Sequence, residues 1–235
     1  MSENKTGKYF KYAIGEIVLV VIGILIALQI NSWNDYRKDR KNEQLILSNF
    51  KNNLNSDIQL LKSFQEKTSR GINAVDTTLL MINNQIEFNF FLFANNIEKV
   101  ISNTYFQSNS TTFDLAISTG KIDLIINDSI RNEILNYYKL TKLNFDDNRI
   151  LETNQDFVFP TIFSSVVATN PISSIMTGIN TDFPELDLKN LASSPEFNTW
   201  MIFKKEAYKR QTQNYMLLED TVTNLIILID KQLGK

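Results

Sequence analysis

A continuous apolar segment near the N-terminus constrains the fold more than any other feature of this sequence. Residues 12–30 are apolar except for Glu16 and Gln29. As an α-helix rising about 1.5 Å per residue they span about 28 Å, close to the thickness of a bilayer's hydrocarbon core. A cleaved signal peptide has a shorter apolar core and ends at a small-x-small site, which is missing after Ala27. The segment therefore predicts a transmembrane helix at residues 12–31.

Aromatic side chains flank this segment on both sides, as in the aromatic belts of membrane proteins. The predicted interfacial anchors are Tyr9, Phe10, Tyr12, Trp33 and Tyr36. Lys and Arg occur on both flanks, so their numbers favour neither orientation. Because a short tail, residues 1–11, precedes a first apolar helix, we expect a signal anchor in the inner membrane. The tail is then cytoplasmic and the C-terminal domain periplasmic.

Small and polar residues recur along one face of the predicted span. This stripe consists of Glu16, Val20, Gly23, Ala27 and Asn31. Such residues let two helices approach closely and form hydrogen bonds within a bilayer. We expect the stripe to pack against a partner membrane protein or a second copy of the chain. Two other interpretations of Glu16 stay open, namely a hydrated interfacial carboxylate and a proton-relay group.

The residue types that are missing exclude several kinds of chemistry. The chain has no Cys and no His, which excludes disulfides, thiolate nucleophiles, histidine metal sites and the Ser-His-Asp triad. A net charge of -2 gives no general attraction for nucleic acid. The adjacent carboxylates Asp146-Asp147 and Glu219-Asp220 diverge by about 100° on a helix. We expect no enzyme, no cofactor and no metal site.

Apolar residues at three- and four-residue spacing predict that the rest of the chain is helical. Residues 32–44 are predicted to continue the spanning helix as a polar linker, and residues 45–235 to form the domain. Arg70-Gly71 predicts a turn between two antiparallel helices. The aromatic residues 88–93 are interpreted as a buried connection or, alternatively, as an apolar ligand groove. The predicted fold class is all-α, a transmembrane helix continuing into an antiparallel helical bundle.

Capping signals delimit two further helices. Residues 111–114, Thr-Thr-Phe-Asp, resemble a capping box for a helix at residues 112–118 that ends at Gly120. Residues 127–129, Asn-Asp-Ser, offer an N-cap for a helix that extends towards Phe157.

The C-terminal part of the chain combines a loop with a long helix. Residues 168–195 contain Pro and Gly among polar residues and predict a functional or mobile loop. Residues 194–196, Ser-Pro-Glu, open a helix whose apolar stripe runs from Phe197 to Ile229. Its basic residues form one cluster, interpreted as a solvated face rather than a nucleic-acid site: Lys204, Lys205, Lys209 and Arg210.

Two blocks of the sequence resemble a known family. Residues 8–31 (KYFKYAIGEIVLVVIGILIALQIN) resemble the opening of an unknown-function family of small single-pass inner-membrane proteins from Gram-negative bacteria. Residues 112–125, followed by Ile130-Arg131 and Tyr137-Tyr138, are similar to that family's second block. The resemblance implies the membrane topology and supplies no reaction and no catalytic residues.

Asp-Ser/Thr pairs beginning at Asp76, Asp128 and Asp220 resemble O-glycosylation sites of exported bacterial proteins, or are ordinary helix residues.

Taken together, these features of the sequence favour an accessory or scaffold protein that binds a membrane or periplasmic partner, or a second copy, in the lipid bilayer. The alternative is a periplasmic ligand-sensing domain that acts through a partner. Its pocket is then expected between residues 88–93 and residues 168–195.

Overall fold

A computed structural model describes the backbone of residues 5–102, 105–143, 162 and 187–234, with the side chains of all but 5–13 and 143. Throughout these residues the regular structure is helical and no strand occurs. The elements, in chain order, are α1 (Lys5–Ile82), α2 (Phe90–Ile101), α3 (Thr111–Ser118), a 3-10 helix (Lys121–Leu124), α4 (Asp128–Leu143), α5 (Leu188–Ser193) and α6 (Pro195–Leu233). The predicted all-α class is confirmed.

Helix α1 contains 78 residues and unites the apolar segment with the domain, a length of about 117 Å. The turn predicted at Arg70-Gly71 is wrong, because both residues lie inside α1. A Cβ atom built on Gly71 comes within 2.6–2.9 Å of ring atoms of Tyr208. Glycine at this position therefore lets α6 approach α1 closely, and the local sequence alone does not distinguish this use from a turn.

Helix α6 packs antiparallel to α1 and starts at the predicted cap. The Ser194 hydroxyl accepts a hydrogen bond from the Phe197 backbone N–H at 3.2 Å, and Pro195 occupies the first helical position. Gly234 ends the helix in the left-handed conformation at φ 72°. The apolar stripe predicted for this helix is confirmed, since Phe197, Ile229 and the stripe residues between them are buried.

Two hydrophobic clusters lie along the α1–α6 pair. The cluster nearer the apolar segment joins α1, α4 and α6 through Leu47, Phe50, Leu54, Leu61, Tyr137, Tyr138, Leu218, Val222, Leu225 and Ile229. The distal cluster joins α1, α2, α5 and α6 through Val75, Met81, Ile82, Phe93, Ile97, Val100, Leu191, Phe197, Trp200 and Met201. The domain is an elongated bundle because each shorter helix buries its apolar face against the same long pair.

The predicted helix at 112–118 begins one residue earlier and its cap is different. Ser110 is the N-cap residue, and its hydroxyl donates to the Asp114 carboxylate at 2.6 Å instead of accepting from the backbone. Gly120 ends this region with φ 69°, as predicted. The Asn127 side chain accepts from the N–H groups of Ser129 and Ile130, which confirms the cap of α4. The predicted extension of α4 to residue 157 lies outside the described residues.

The aromatic residues 88–93 are mostly not the buried connection predicted from their composition. The Asn89 side chain accepts from the Leu92 N–H at 2.9 Å, so the helix α2 already starts at Phe90. Phe93 of this patch is buried in the core and the half-buried Phe88 packs against it, whereas Phe91 is 63% exposed. In the predicted loop, residues 168–186 lie outside the described residues, and Leu188–Ser193 is the helix α5 rather than loop.

Candidate functional site

The apolar segment of α1 touches no other part of the described structure. Every side chain of residues 14–33 is exposed, including Leu19 at 71%. A helix of this length and composition could cross a membrane. So much contiguous apolar surface needs a lipid or protein environment, because exposing it to water is unfavourable.

The stripe on this segment packs against no other element in the described part of the structure. A Cβ atom built on Gly23 meets nothing within 4 Å, so this glycine is not needed for packing inside the domain. The Asn31 amide donates to Asp35 at 3.2 Å, just past the apolar segment. Ala27 and Asn31 border a shallow depression on the helix surface. The packing role of Glu16, Val20, Gly23, Ala27 and Asn31 stays a prediction.

Of the residues predicted to be interfacial anchors, only those after the apolar segment have described side chains. Trp33 and Tyr36 are 63% and 57% exposed, and each ring lies under a guanidinium group. The Cζ atom of Arg37 lies 5.4 Å from the ring centroid of Trp33. The Cζ atom of Arg40 lies 5.3 Å from the ring centroid of Tyr36. The side chains of Tyr9, Phe10 and Tyr12 lie outside the described residues.

Arg40 and Glu43 attach the domain to α1 soon after the apolar segment. Glu43 is 4% exposed and its carboxylate accepts from Arg40 and from the Ile126 N–H, the latter at 2.8 Å. Arg40 also donates to the Leu124 carbonyl at 3.1 Å. Within the predicted linker 32–44, α1 therefore already contacts the connection between the 3-10 helix and α4.

Asp57 is the centre of a buried polar network. Its carboxylate accepts from the Asn109 N–H at 2.8 Å and from the Tyr137 hydroxyl at 2.7 Å. Tyr138 donates to the Asn109 carbonyl at 3.1 Å. Burial raises the pKa of Asp57, and the two hydrogen bonds act against this rise. Burial, followed by the charge of Asp57, raises the pKa of Tyr137. The network joins α1, α4 and residues 105–110, and every polar atom named here has a structural partner.

A cleft with a basic lining, here called the basic cleft, opens between α1, α2 and α6. Its volume is about 320 Å³. Of the described residues, the charged ones that line it are Lys67, Arg70, Glu98, Lys99 and Lys204. The other described lining residues are aromatic or neutral and polar: Phe64, Thr68, Asn95, Ser102, Tyr105, Tyr208 and Gln211.

Tyr208 and Lys204 form the α6 wall of the basic cleft. The Tyr208 hydroxyl donates to the Lys99 carbonyl at 3.1 Å, which ties α6 to the end of α2. Burial raises the pKa of Tyr208 to about 12. Lys204 is 1% exposed, with its ammonium 6.0 Å from the Trp200 ring centroid.

The solvated basic face predicted on the last helix is therefore wrong for Lys204. Lys205 and Lys209 are at the surface and pair with Asp76 at 2.5 Å and Glu206 at 2.7 Å. The four basic residues point in different directions because adjacent positions on a helix are about 100° apart. The sequence pattern therefore does not reveal the cleft, whose other walls come from α1 and α2.

The described part of the chain contains no group of three or more potential metal-binding side chains. Of the carboxylate pairs considered from the sequence, Glu219 accepts from Gln65 at 2.7 Å and lies 3.8 Å from the Lys62 ammonium. Asp146 and Asp147 lie outside the described residues. Nothing in these contacts assembles an acid–base pair.

An apolar segment of membrane-spanning length, continuous with an all-α domain, places this chain among helical proteins built on a long N-terminal helix. The chain belongs to DUF6090, a family of unknown function, whose match covers residues 16–152. The resemblance to an uncharacterised family is confirmed in this form. No curated protein matches the chain. No solved structure matches it either. The matched part includes Glu43 and the Asp57 network, whereas α6 and Lys204 lie beyond it.

Proposed function

We propose that this protein is a membrane-anchored accessory protein whose N-terminal helix binds another membrane protein. The observation that carries the proposal is the stripe of small and polar residues, which no described residue covers. Small residues at Gly23 and Ala27, four positions apart, permit close approach of a second helix. The tail is cytoplasmic in this proposal, and the helical domain is periplasmic, at the inner membrane.

Glu16 favours a different protein over a second copy as the partner. A carboxylate within the span is costly unless it is hydrated, protonated or paired. A parallel pair of identical helices would bring two Glu16 carboxylates close together, where like charges repel each other. A partner helix with a cation or hydrogen-bond donor at the same depth would satisfy the group directly.

The continuity of α1 supports a positioning role for the domain. The helix runs from the span to Ile82 without interruption, so the domain extends about 74 Å beyond Trp33 along the helix axis. Arg40 and Glu43 connect the other elements to the helix close to the span. A partner held by the stripe would thus set the placement of the whole domain.

Photo-crosslinking in membranes of the native host tests this proposal. Benzoylphenylalanine is placed at Val20 or Ala27 on the stripe, and at Ile22 or Leu25 on the opposite face as a matched control. We expect one adduct of constant mass from the stripe positions and none from the control positions. Mass spectrometry should identify the adduct partner as one integral membrane protein.

The variant Gly23→Leu adds the control for specificity. It should remove the adduct and leave the domain folded, because no described atom lies within 4 Å of the new Cβ. Equal adducts from both faces, or no adduct, would show that the stripe binds no protein. An adduct at twice the 27.1 kDa mass of the chain would identify a second copy and refute a heterologous partner.

Ligand sensing through such a partner is the second candidate function. The basic cleft is the observation that favours it, because its lining has concentrated charge. The pocket predicted from residues 88–93 and 168–195 stays a prediction, as most of that loop lies outside the described residues.

A further inference from the structure

We infer that the basic cleft binds a small soluble organic anion that carries a phosphate or carboxylate group. The cleft volume of about 320 Å³ suits a small metabolite. The inference does not depend on which partner, if any, binds the transmembrane helix.

The charge of the lining selects an anion. Among the described residues that line the cleft, four side chains are cationic and one, Glu98, is a carboxylate. In the described structure no carboxylate forms an ion pair with Lys67, Arg70 or Lys99. Their combined potential therefore acts on the cleft, where low-dielectric walls strengthen it.

The origin of the cations distinguishes this cleft from the basic face of a single helix. Lys67 and Arg70 lie in α1, Lys99 lies in α2 and Lys204 lies in α6. Three helices thus bring positive charge to one space, where charge-assisted hydrogen bonds to an anion are strong.

The uncharged lining indicates that the ligand also has an apolar body. The rings of Phe64, Tyr105 and Tyr208 contribute to the walls. The Lys67 ammonium lies 4.7 Å from the Phe64 ring centroid, so one cation already stands over an aromatic face. Hydrogen-bonding groups of Asn95 and Ser102 face the same space. A ring or short chain with an anionic end matches this combination.

The position of the cleft along α1 indicates a soluble ligand rather than a lipid of the anchoring membrane. Thr68 lines the cleft and lies about 52 Å beyond Trp33 along the helix axis. The Debye length at physiological ionic strength is about 8 Å, so headgroup charge is screened over this distance. The ligand must therefore come from the surrounding solution.

Isothermal titration calorimetry on the full chain in phosphatidylcholine nanodiscs tests the inference. The probes are phenyl phosphate, pyrophosphate and citrate, with neutral phenol as the control for apolar binding. We expect at least one anion to bind with a stoichiometry of one, and phenol to give no saturable heat. Nanodiscs that contain phosphatidylglycerol should give the same affinity, because the site does not take headgroups.

Variants connect the binding to the cleft. Lys204→Met keeps the apolar stem and should weaken anion binding about tenfold or more. Glu98→Gln removes the carboxylate found among the described lining residues and should strengthen binding. Arg210→Gln, on an exposed residue of α6 outside the cleft, should leave affinity unchanged. If Lys204→Met does not fold, the exposed pair Lys67→Gln and Arg70→Gln provides the same test.

Three results would overturn the inference. The first is that none of the three anions binds. The second is that an anion binds equally well after the cleft cations are removed. The third is that phosphatidylglycerol competes with the anion for the site. The variant Gly23→Leu, which tests the membrane partner, should bind the anion like the unaltered chain. Failure of the partner proposal and failure of the anion site are thus distinguishable.

Discussion

Single residues of this chain acquire their roles from helices that are distant in sequence. Gly71 resembles a turn signal, yet it sits within α1 opposite the ring of Tyr208. Lys204 resembles a surface lysine, yet it is buried beside Trp200. In both cases the local sequence specifies a helical position, and the neighbour across the interface specifies what that position does.

The contact between Gly71 and Tyr208 predicts that one substitution changes the free energy of unfolding in opposite directions in two backgrounds. Gly71→Ala should destabilise the domain by about 1–3 kcal/mol, because the added methyl group overlaps the Tyr208 ring. In the Tyr208→Ala background the same substitution should stabilise by about 0.5–1 kcal/mol, since alanine is the better helix former. Urea unfolding followed by circular dichroism measures both values. A destabilisation of equal size in both backgrounds would refute the contact.

At the scale of elements, α1 determines how the bundle is organised. It supplies the apolar segment, the Arg40–Glu43 attachment, the buried Asp57 and one wall of the basic cleft. The helices α2, α4 and α6 each pack against part of its length. One uninterrupted helix thus connects the proposed membrane-binding face with the proposed anion site.

The continuity of α1 is testable with spin labels, because the chain has no native cysteine. Ser63→Cys and Leu80→Cys place labels at exposed positions on either side of Gly71. Pulsed electron resonance should give one narrow distance distribution near ~26 Å, the rise of a continuous helix. Two antiparallel helices that turn at this glycine would instead place the labels about 10 Å apart.

At the scale of the whole molecule, tertiary packing withdraws several phenol groups from water. Burial is the first cause of the raised pKa values of Tyr137, Tyr138, Tyr208 and Tyr215. These tyrosines lie in α4 and α6, so their titration reports on the assembled bundle rather than on one helix.

Stability should therefore fall at alkaline pH. Above pH 10 the unfolded chain ionises its tyrosines while the folded chain keeps its protons, so stability decreases as pH rises. For Tyr208 the loss extends from pH 10 to about 12 and is absent below pH 10. Its contribution to the slope is at most about 1.4 kcal/mol per pH unit.

The matched variant for this prediction is Tyr208→Phe, which cannot ionise. Urea midpoints at pH 9, 10 and 11 should fall less steeply for the variant than for the unaltered chain. Parallel slopes for the two proteins would mean that Tyr208 ionises as readily in the folded state as in the unfolded state.

Sequence patterns were sufficient where the determining interactions are local. The helical class, the apolar segment, the caps at Ser194 and Asn127, and the buried stripe from Phe197 to Ile229 all follow from spacing within one helix. Such features depend on residues at most a few turns apart, so the order of the amino acids already contains them.

Only the tertiary structure determined the rest. The continuity of α1 through Gly71, the partners of Asp57 and the basic cleft depend on side chains from different elements that are far apart in the chain. A periodic pattern shows which face of a helix is apolar and leaves open which helix covers that face. The sequence by itself thus determined a helical chain with one membrane-length apolar segment. The packing of α2 and α6 on α1 decided where charge is concentrated, because packing brings distant cations into one low-dielectric space.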